Sequence, residues 1–462
     1  MSEREAAAAV VAPEDVHAIT PELVAAVSQA LAEARHAEAR STASGLHVAD
    51  LADLLEQLPP PQRGQLVTVL GRGLDPEALP ELDGTVLEDV LAALAPHDLA
   101  AAIAALDTDD AVYLLERLDE TRREEVLRRV PAPDRVAVAE ALALPEESAG
   151  RLMQRELIAV PLFWTVGQVI DYCRETADLP DDFYEIYLVD PRHKPVGQVA
   201  LNRLLRARRP VLMRDIVSVE VHPIALDMDR EEVAFLFRQY RLTSGPVVDG
   251  DGRLVGVITF DDVAEVIQEE AQEDMLRLSG VSQESDINEP VLRTVRSRAL
   301  WLGVNLGTAF VASFVIGLFD ATIEKVVALA VLMPIVASMG GNAGMQAVTV
   351  TVRAIATKEV TAANALRMVW KECGVGLLNG VLFAGLVGVV AGLVFQQRDL
   401  GLVIAAAMAT NLVVAGLCGT LIPLALDRRG VDPAVAASVF LTCVTDVIGF
   451  LAFLGLATLV LL

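Results

Sequence analysis

The chain has 462 residues, enough for several domains, and its formal net charge of −26 is unevenly distributed. Residues 1–289 carry 55 acidic and 26 basic side chains, whereas residues 290–462 carry 8 acidic and 11 basic ones. Nucleic acid and anionic headgroups would repel the acidic part, so we expect no nucleic-acid partner and instead cations or basic surfaces. Solvated acidic helices that keep the chain soluble would explain much of the same excess.

The N-terminal segment, residues 1–45, is rich in Ala and Glu and predicts at best a frayed helix, so we expect a flexible segment. Its first twenty residues contain no long apolar core and are not a signal peptide, which predicts a cytoplasmic N-terminus. The four cysteines form no CxxC pair and predict a reduced chain without disulfides.

Residues 46–146 contain short amphipathic helices that Pro- and Asp-rich turns separate, as in VADLLEQLPP and AVYLLERLDETRREEVLRRV. Apolar residues recur there at positions i, i+3 and i+4. This pattern predicts an α-helical superhelix, a fold that usually serves as a docking surface or a lever.

Residues 147–268 repeat one plan, in YEIYLVDPRHKPVGQVALNRLL and again in SGPVVDGDGRLVGVITFDDVAEVI. Each copy predicts a strand, a tight turn, a second strand and a helix. The pair resembles tandem CBS domains, which are α/β modules that associate pairwise and often bind adenine nucleotides. The resemblance makes ATP a candidate cofactor of this region.

An acidic helix follows and is expected to connect, over residues 269–298, to the first membrane span. Its carboxylates, with those just before it, are Asp261, Asp262, Glu265, Glu269, Glu270, Glu273 and Asp274. Solvated charge is one interpretation. The other is that divalent cations bridge this helix to further acidic surfaces, because Mg²⁺ and Ca²⁺ favour carboxylate and water oxygens.

Five apolar segments of roughly 20 residues or more predict an all-α transmembrane domain over residues 299–462. The spans are expected near Ala299–Phe319, Val326–Val352, Gly374–Phe395, Leu400–Leu426 and Ala434–Leu462. The connector after the second span is long enough for a short interfacial helix. Nine flanking Lys and Arg residues fall on one side and two on the other. The positive-inside rule then predicts a multi-pass protein of a bacterial-type inner (plasma) membrane, with a cytoplasmic soluble half and the C-terminus outside.

Asp446 is an ionisable residue about midway along the last predicted span, with no basic residue in any span to pair with it. The second span contains MPIVASMGGNAGMQ, with a GxxxG step at Gly340 and Gly344 and amides at Asn342 and Gln346. Oxygen donors without nearby histidines suit a hard cation such as Mg²⁺. A protonated Asp446 that ties helices together is one alternative. A proton- or sodium-coupled exporter of divalent cations, with Asp446 as the coupling site, is another.

The second-span motif, with TDVIGF around Asp446, resembles the MgtE family of magnesium channels, and the resemblance covers nearly the whole chain. The motif residues are Pro334, Ser338, Gly340, Gly341, Asn342, Gly344 and Gln346. The resemblance implies a Mg²⁺-selective channel for Mg²⁺ influx, formed by a homodimer in the bilayer whose pore lies on the two-fold axis and is lined by the second and fifth spans. It implies that Asp446 holds a hydrated Mg²⁺ and that Asn342 and Gly341 line the pore.

The resemblance also implies gating by cytosolic Mg²⁺, which bridges the acidic domains and closes the pore. The regulatory acids are expected at Glu231, Asp262, Glu265, Glu270, Glu273, Asp274 and Asp432. Arg241 stands where a further acid is expected, which removes one carboxylate from the set. An enzyme is not expected, because the sequence has no nucleophile–base pair, Walker A motif or metal-ligand histidine spacing. A nucleotide-sensing receptor without transport would rest on the CBS pair alone.

Overall fold

The structure is a computed structural model that describes residues 19–176, 179–180, 183–218, 221–281, 291–361 and 363–462. The described chain forms two compact units, one up to Gln268 and one from Glu269 onward. The first contains a helical stack and two small sheets, and the second contains the long apolar helices.

The first unit begins with a stack of short helices whose apolar faces share one hydrophobic core. They are α1 (Pro21–Ala32), α2 (His36–Ala43), α3 (Val48–Gln57), α4 (Pro60–Leu70), α5 (Gly84–Ala93), α6 (Pro96–Ile103), α7 (Thr108–Glu116), α8 (Glu120–Leu127) and α9 (Ala132–Leu142). The short helix α10 (Ala149–Leu152) follows, and its Ala149 is buried in a separate core with Phe237 and Val247. Two 3₁₀ turns, Gly71–Gly73 and Pro76–Ala78, separate α4 from α5. The predicted α-helical architecture of this region is confirmed.

The segment expected to be flexible differs from that expectation over residues 19–45, where α1 and α2 form. The helices are ordered by tertiary packing, because Val27, Ala30 and Leu31 are buried in the core of the stack. Burial of an apolar face stabilises short helices that their own propensity would leave frayed. Residues 1–18 of the same segment lie outside the described residues.

Two arginines satisfy helix C-termini in the same way. Arg63, only 2% exposed, donates hydrogen bonds to the carbonyl oxygens of Leu55 (2.8 Å) and Leu58 (3.2 Å) at the end of α3. Arg122 donates to the carbonyl oxygen of Leu94 (2.7 Å), just after α5. The last carbonyls of a helix have no partner inside it, so a guanidinium stabilises the end of each helix. The repeated contact holds successive helix pairs together.

Two three-stranded sheets follow, one in each copy of the repeated plan. Their elements are β1 (Ala159–Pro161), α11 (Val166–Glu175), β2 (Glu185–Val189), β3 (Pro195–Ala200), α12 (Leu201–Arg206), α13 (Met213–Ile216), β4 (Ile224–Ala225), α14 (Arg230–Tyr240), β5 (Ser244–Val248) and β6 (Leu254–Thr259). In each sheet the first strand is parallel to the second and the second antiparallel to the third. The register even shifts at equivalent places, Leu188/Val189 and Val247/Val248. The internal duplication is confirmed.

The hairpin turns of the two copies also match. Asp190 accepts hydrogen bonds from the backbone N–H groups of Arg192 (2.8 Å) and Lys194 (2.9 Å). Asp249 accepts the equivalent pair, and these bonds lower the pKa of both aspartates. The left-handed position of the turn is His193 in the first copy (φ 62°) and Gly252 in the second (φ 77°). Glycine adopts this conformation without a steric cost.

The second unit consists of the C-terminal part of α15 and the helices that follow it. The remaining elements are α15 (Phe260–Leu278), α16 (Val291–Gly317), α17 (Asp320–Lys325), α18 (Ala328–Ala356), α19 (Ala365–Val394), α20 (Arg398–Asp427) and α21 (Pro433–Leu461). Within the described residues, five of these helices are long and apolar enough to cross a membrane, which confirms the predicted spans. Residues 282–290, part of the predicted connecting helix, lie outside the described residues.

The expected interfacial helix after the second span is wrong for the described part of that connector. The polar ends of α18 and α19 prolong these two helices and leave a short link, whose residue 362 lies outside the described residues. Asn364 stabilises the link, because its side chain accepts from the N–H of Thr361 (2.7 Å) and donates to the carbonyl of Glu359 (2.8 Å).

Helix α20 is the centre of the second unit. In its most apolar stretch of 18 residues 56% is buried, whereas the corresponding share in α16 is 11%. Helix α20 packs against α18, α19 and α21. Glycines bring α19 and α20 into backbone contact: a methyl group on Gly388 would lie 2.8 Å from the carbonyl oxygen of Gly401. Small residues allow such close approach between helices in lipid.

Candidate functional site

Asp446 lies in α21 and is half-buried. Among the described residues it makes no ion pair. An ionised carboxylate inside a bilayer costs several kcal/mol unless water or a cation solvates it. Asp446 is therefore a candidate cation site, as its position in the sequence predicts.

The motif of the second span lies in α18 and presents two faces. Gly340 and Gly344 are buried, whereas Asn342 and Gln346 are exposed in the single chain. A methyl group on Gly341 would meet no atom within 4 Å, so the backbone there borders open space. The Asn342 amide nitrogen lies 3.4 Å from the Ser338 hydroxyl, which orients the amide along the helix. The open face thus carries the amides and accessible backbone.

The buried face of the motif fixes the depth of Asp446. Gly344 packs against Leu441 of α21, since a methyl group on it would lie 2.7 Å from the Leu441 side chain. Gly340 and Gly449 both contact one side chain of α20. Asp446 falls between Leu441 and Gly449 in α21, as Gly341 and Asn342 fall between the glycines of α18. These residues therefore lie in one layer of the bundle, to within about a helical turn.

A second acidic cluster lies in the first unit and consists of aspartates at the start of α7 and at the start of α15. Asp262 in α15 accepts hydrogen bonds from the Thr259 hydroxyl (2.5 Å) and N–H (3.4 Å). The negative charge of Asp262 acts on Asp109 and Asp110, which lie in the first turn of α7. Asp262 was predicted as a regulatory acid, whereas Asp109 and Asp110 were not.

Burial and mutual repulsion shift the protonation of this cluster. Burial first, and then the negative charge of Asp262, raise the pKa of Asp110 to about 7. Burial raises the pKa of Asp262 to about 6 and places the pKa of Asp109 well above its ordinary range. Carboxylates so placed are costly to ionise together unless a cation neutralises them. The sequence feature that could have identified Asp109 and Asp110 is DTDD, which places three aspartates at the start of α7.

The other regulatory acids predicted for the first unit are placed differently. Glu265 lies on the exposed face of α15 and contributes to the repulsion that raises the pKa of Asp110. Glu231 is exposed in the first turn of α14, next to its N-cap Asp229. Arg241 is exposed and ends α14 in the left-handed conformation (φ 54°).

Four predicted regulatory acids belong to the second unit. Glu273, only 4% exposed, forms an ion pair with Arg277 one turn later in α15. The same guanidinium contacts Asp432, which is the N-cap of α21 and accepts a hydrogen bond from the N–H of Ala434 (2.7 Å). Glu270 and Asp274 flank Glu273 and are half-buried. The structure thus brings Glu273 and Asp432 together through Arg277, a residue that the sequence analysis did not identify.

The donor atoms of these clusters are carboxylate, amide and backbone oxygens. Within the described parts of the chain, no three His, Cys, Asp or Glu side chains are arranged to hold a bare metal ion. Mg²⁺ sheds its water reluctantly and is commonly held through retained waters by one or two carboxylates. The buried Asp109 Oδ1 has no hydrogen-bond partner among the described residues, which leaves an acceptor for a water or a cation. The clusters therefore fit a hydrated hard cation.

A small cleft lies between the two sheet modules. The Tyr187 hydroxyl of the first module lies 2.6 Å from the Ser244 hydroxyl of the second, which donates to Glu185 (2.9 Å). Burial raises the pKa of Glu185. Tyr184, 55% exposed, offers an aromatic face at the cleft, and Glu156 offers a second carboxylate.

The chemistry of these residues suits the nucleoside part of ATP, because an aromatic face stacks on a base and carboxylates accept from ribose hydroxyls. None of the described lining residues is Lys or Arg, so the cleft itself supplies no partner for phosphates. Glu156 also accepts a hydrogen bond from the Thr108 hydroxyl (3.0 Å). Since Thr108 begins α7, the cleft is linked directly to the helix that carries Asp109 and Asp110.

Three family profiles match the chain. One described as "divalent cation transporter" (MgtE) covers residues 333–456, the MgtE intracellular N domain covers residues 46–147, and the CBS domain covers residues 213–269. The first profile includes both the second-span motif and Asp446. The other two correspond to the helical stack and to the second sheet module.

Individual proteins extend the similarity over nearly the full length. The magnesium transporter MgtE of Thermus thermophilus is 32% identical over 95% of this chain and 98% of its own length. The magnesium transporter MgtE of Bacillus subtilis is 26% identical over 95% and 97%. A solved cytosolic domain of the Mg²⁺ channel MgtE, in complex with ATP, covers 53% of this chain and 99% of its own at 30% identity and a TM-score of 0.50. The chain therefore belongs to the MgtE family of divalent cation transporters.

Proposed function

We propose that this chain is a Mg²⁺-selective channel that admits Mg²⁺ through the plasma membrane and closes when cytosolic Mg²⁺ is high. The observation that carries the proposal is Asp446, a carboxylate without an ion pair among the described residues, in the same layer as Gly341 and Asn342. Its orientation follows the positive-inside rule, with the N-terminus in the cytoplasm and the C-terminus outside.

In the pore, the Asp446 carboxylate attracts the dication and accepts hydrogen bonds from its water shell. Asn342 and the backbone near Gly341 supply further oxygens at the same depth. Such a site compensates for the loss of bulk water without stripping the ion, which suits the slow dehydration of Mg²⁺. The carboxylate also excludes anions by charge.

The proposed pore is completed by a second copy of the chain. Asn342 and the backbone at Gly341 lie on an open face of the single chain, although they belong to a polar layer inside the membrane. Lipid-exposed amides and carboxylates would be unfavourable, so this face requires a polar partner. A homodimer whose two-fold axis runs past α18 and α21 satisfies this requirement. Its test is the oligomeric mass of the purified protein in detergent.

Closure is proposed to depend on acids that repel until Mg²⁺ neutralises them. The proposed set is Glu231, Asp262, Glu265, Glu270, Glu273, Asp274 and Asp432, to which the structure adds Asp109 and Asp110. A coupling of about 1–3 kcal/mol per site changes an affinity roughly 5- to 150-fold, so a few sites suffice to switch a two-state pore.

ATP is proposed to bind in the cleft between the sheet modules, with its base against Tyr184 and its ribose at the carboxylates. Two observations support this proposal. The lining residues have the chemistry that a nucleoside requires, and the cytosolic domain of a relative was solved in complex with ATP. Because the described lining offers no cation for phosphates, adenosine should compete with ATP for the cleft. Tyr184→Ala should weaken both ligands, measured by calorimetry on the purified protein.

The pore assignment is tested by Mg²⁺ uptake and growth of a transport-deficient host at low Mg²⁺. Asp446→Ala and Asp446→Asn should abolish uptake, whereas Asp399→Asn, an exposed acid at the start of α20, should not. Full uptake by Asp446→Ala would overturn the assignment. Flux that depends on an imposed H⁺ or Na⁺ gradient would instead favour a coupled exporter with Asp446 as its coupling site.

A further inference from the structure

One polar side chain lies at the point where the two proposed pore helices meet the central helix of the bundle. Asn411 is in the middle of α20 and is fully buried (0% exposed). Its amide nitrogen donates a hydrogen bond to the carbonyl oxygen of Val336 in α18 (3.0 Å). The sequence analysis did not identify it, because one asparagine in an apolar segment carries no motif.

The Asn411 amide occupies space that two glycines leave for it, one on each proposed pore helix. A methyl group on Gly340 of α18 would overlap the amide, and one on Gly449 of α21 would lie 2.7 Å from its nitrogen. Gly340 directly precedes Gly341, and Gly449 follows Asp446 by three residues. The amide therefore contacts both pore helices immediately beside their proposed ion-binding residues.

Packing alone does not explain an amide at this position. Its oxygen is buried and has no hydrogen-bond partner among the described residues, which costs free energy. An apolar side chain of similar volume would fill the space without that cost. In a membrane, however, apolar contacts resemble those with lipid, and a hydrogen bond between helices fixes which residues face each other. The hydrogen bond from the Asn411 amide to the carbonyl oxygen of Val336 can therefore set which residues of α18 face α20.

We propose that Asn411 is a positioning residue of the pore, which fixes α18 relative to α21 and thereby favours Mg²⁺ over Ca²⁺. The proposal rests on the proposed pore, because Asn411 acts through Gly341, Asn342 and Asp446 and does not touch the ion. Mg²⁺ demands near-ideal octahedral geometry, whereas Ca²⁺ accepts longer and less regular coordination. A small displacement of the oxygen layer should therefore cost Mg²⁺ selectivity before it costs conduction.

The test compares Mg²⁺ and Ca²⁺ fluxes of the full chain in reconstituted vesicles, together with thermal stability in detergent. Asn411→Ala should raise the Ca²⁺/Mg²⁺ flux ratio roughly 3- to 15-fold, the range expected from one interhelical hydrogen bond. The control is Thr410→Val, the adjacent exposed residue, whose hydroxyl bonds only to Ala406 of its own helix in the described structure. It should leave the ratio unchanged.

The double variant Asn411→Ala/Gly340→Ala separates positioning from packing, because the added methyl group refills the vacated space. The proposal expects it to regain thermal stability while the Ca²⁺/Mg²⁺ ratio stays raised. Recovery of both, or an unchanged ratio in Asn411→Ala, would overturn the proposal.

If Asn411→Ala does not fold, Gly449→Ala crowds the intact amide and should raise the ratio. An unchanged ratio there would equally overturn it. Uptake by Asp446→Ala reports separately on the pore itself.

Discussion

The guanidinium of Arg277, near the end of α15, contacts the carboxylate of Asp432, the N-cap of α21. The two residues are 155 positions apart, and the same guanidinium pairs with the buried Glu273. Two of the acids expected to bind regulatory Mg²⁺ thus share one cation of the chain itself. A charge-assisted contact of this kind stabilises the association of the two helices even without Mg²⁺.

Replacing Arg277 by Gln should make that contact depend on Mg²⁺, because Glu273 and Asp432 would then repel each other. We expect the Mg²⁺ concentration for half-closure to rise about fivefold or more, measured as channel activity against cytosolic Mg²⁺. Arg428→Gln removes an equal charge from an exposed position just after α20 and should leave half-closure unchanged. An unchanged or lower closing concentration in Arg277→Gln would contradict the assignment.

Neutralising three acids of α15 together, by Glu270→Gln, Glu273→Gln and Asp274→Asn, should leave the channel open at high cytosolic Mg²⁺. Without these carboxylates, Mg²⁺ has little to bridge, so the closed state loses its stabilisation. The matched control is the triple change of Glu120, Glu124 and Glu125 to Gln in α8, whose acids pair with arginines of α8 and the turn after it. Normal closure of the α15 variant would reject its sensor role.

The stability of the first unit should depend on pH through Asp110 and Asp262. Their pKa values are raised to about 7 and about 6, so the folded state binds more protons than the unfolded chain. The stabilisation is complete below the ordinary aspartate pKa and is lost as pH rises through 6 and 7. In EDTA, the free energy of unfolding should fall by on the order of 2 kcal/mol between pH 5 and 8.

Thermal unfolding of the purified protein as a function of pH measures this effect. Asp110→Asn should flatten the pH dependence, and Mg²⁺ should reduce it because the ion binds the deprotonated carboxylates. Glu120→Gln, an exposed acid of α8, serves as the control. A stability that rises from pH 5 to 8 without Mg²⁺ would show that these acids are not buried together.

The glycine contact between α19 and α20 predicts a sharp difference between neighbouring positions. A methyl group on Gly388 would lie 2.8 Å from the carbonyl of Gly401, whereas one on Gly385 would meet nothing within 4 Å. Gly388→Ala should destabilise the membrane domain by about 1–3 kcal/mol through overpacking, and Gly385→Ala should not. Thermal unfolding in detergent compares the two, and equal stabilities would mean that the helices are not in backbone contact.

The sequence by itself determined the features that depend on local composition. Hydropathy identified the five long helices, and the repeated strand–turn–strand plan identified the two sheet modules. Asp446 was recognised because a lone carboxylate in an apolar segment is costly wherever the helix packs. The second-span motif was recognised because glycines and amides are informative in a membrane helix before their contacts are known.

Only the tertiary structure decided which residues meet. Asn411 lies between Gly340 and Gly449, Asp109 and Asp110 lie within electrostatic range of Asp262, and Arg277 joins Glu273 to Asp432. None of these contacts follows from periodicity, because each joins elements far apart in the chain and depends on how whole helices pack. The order of residues 19–45 has the same origin, since α1 and α2 are stabilised by the core they enter rather than by their own propensity.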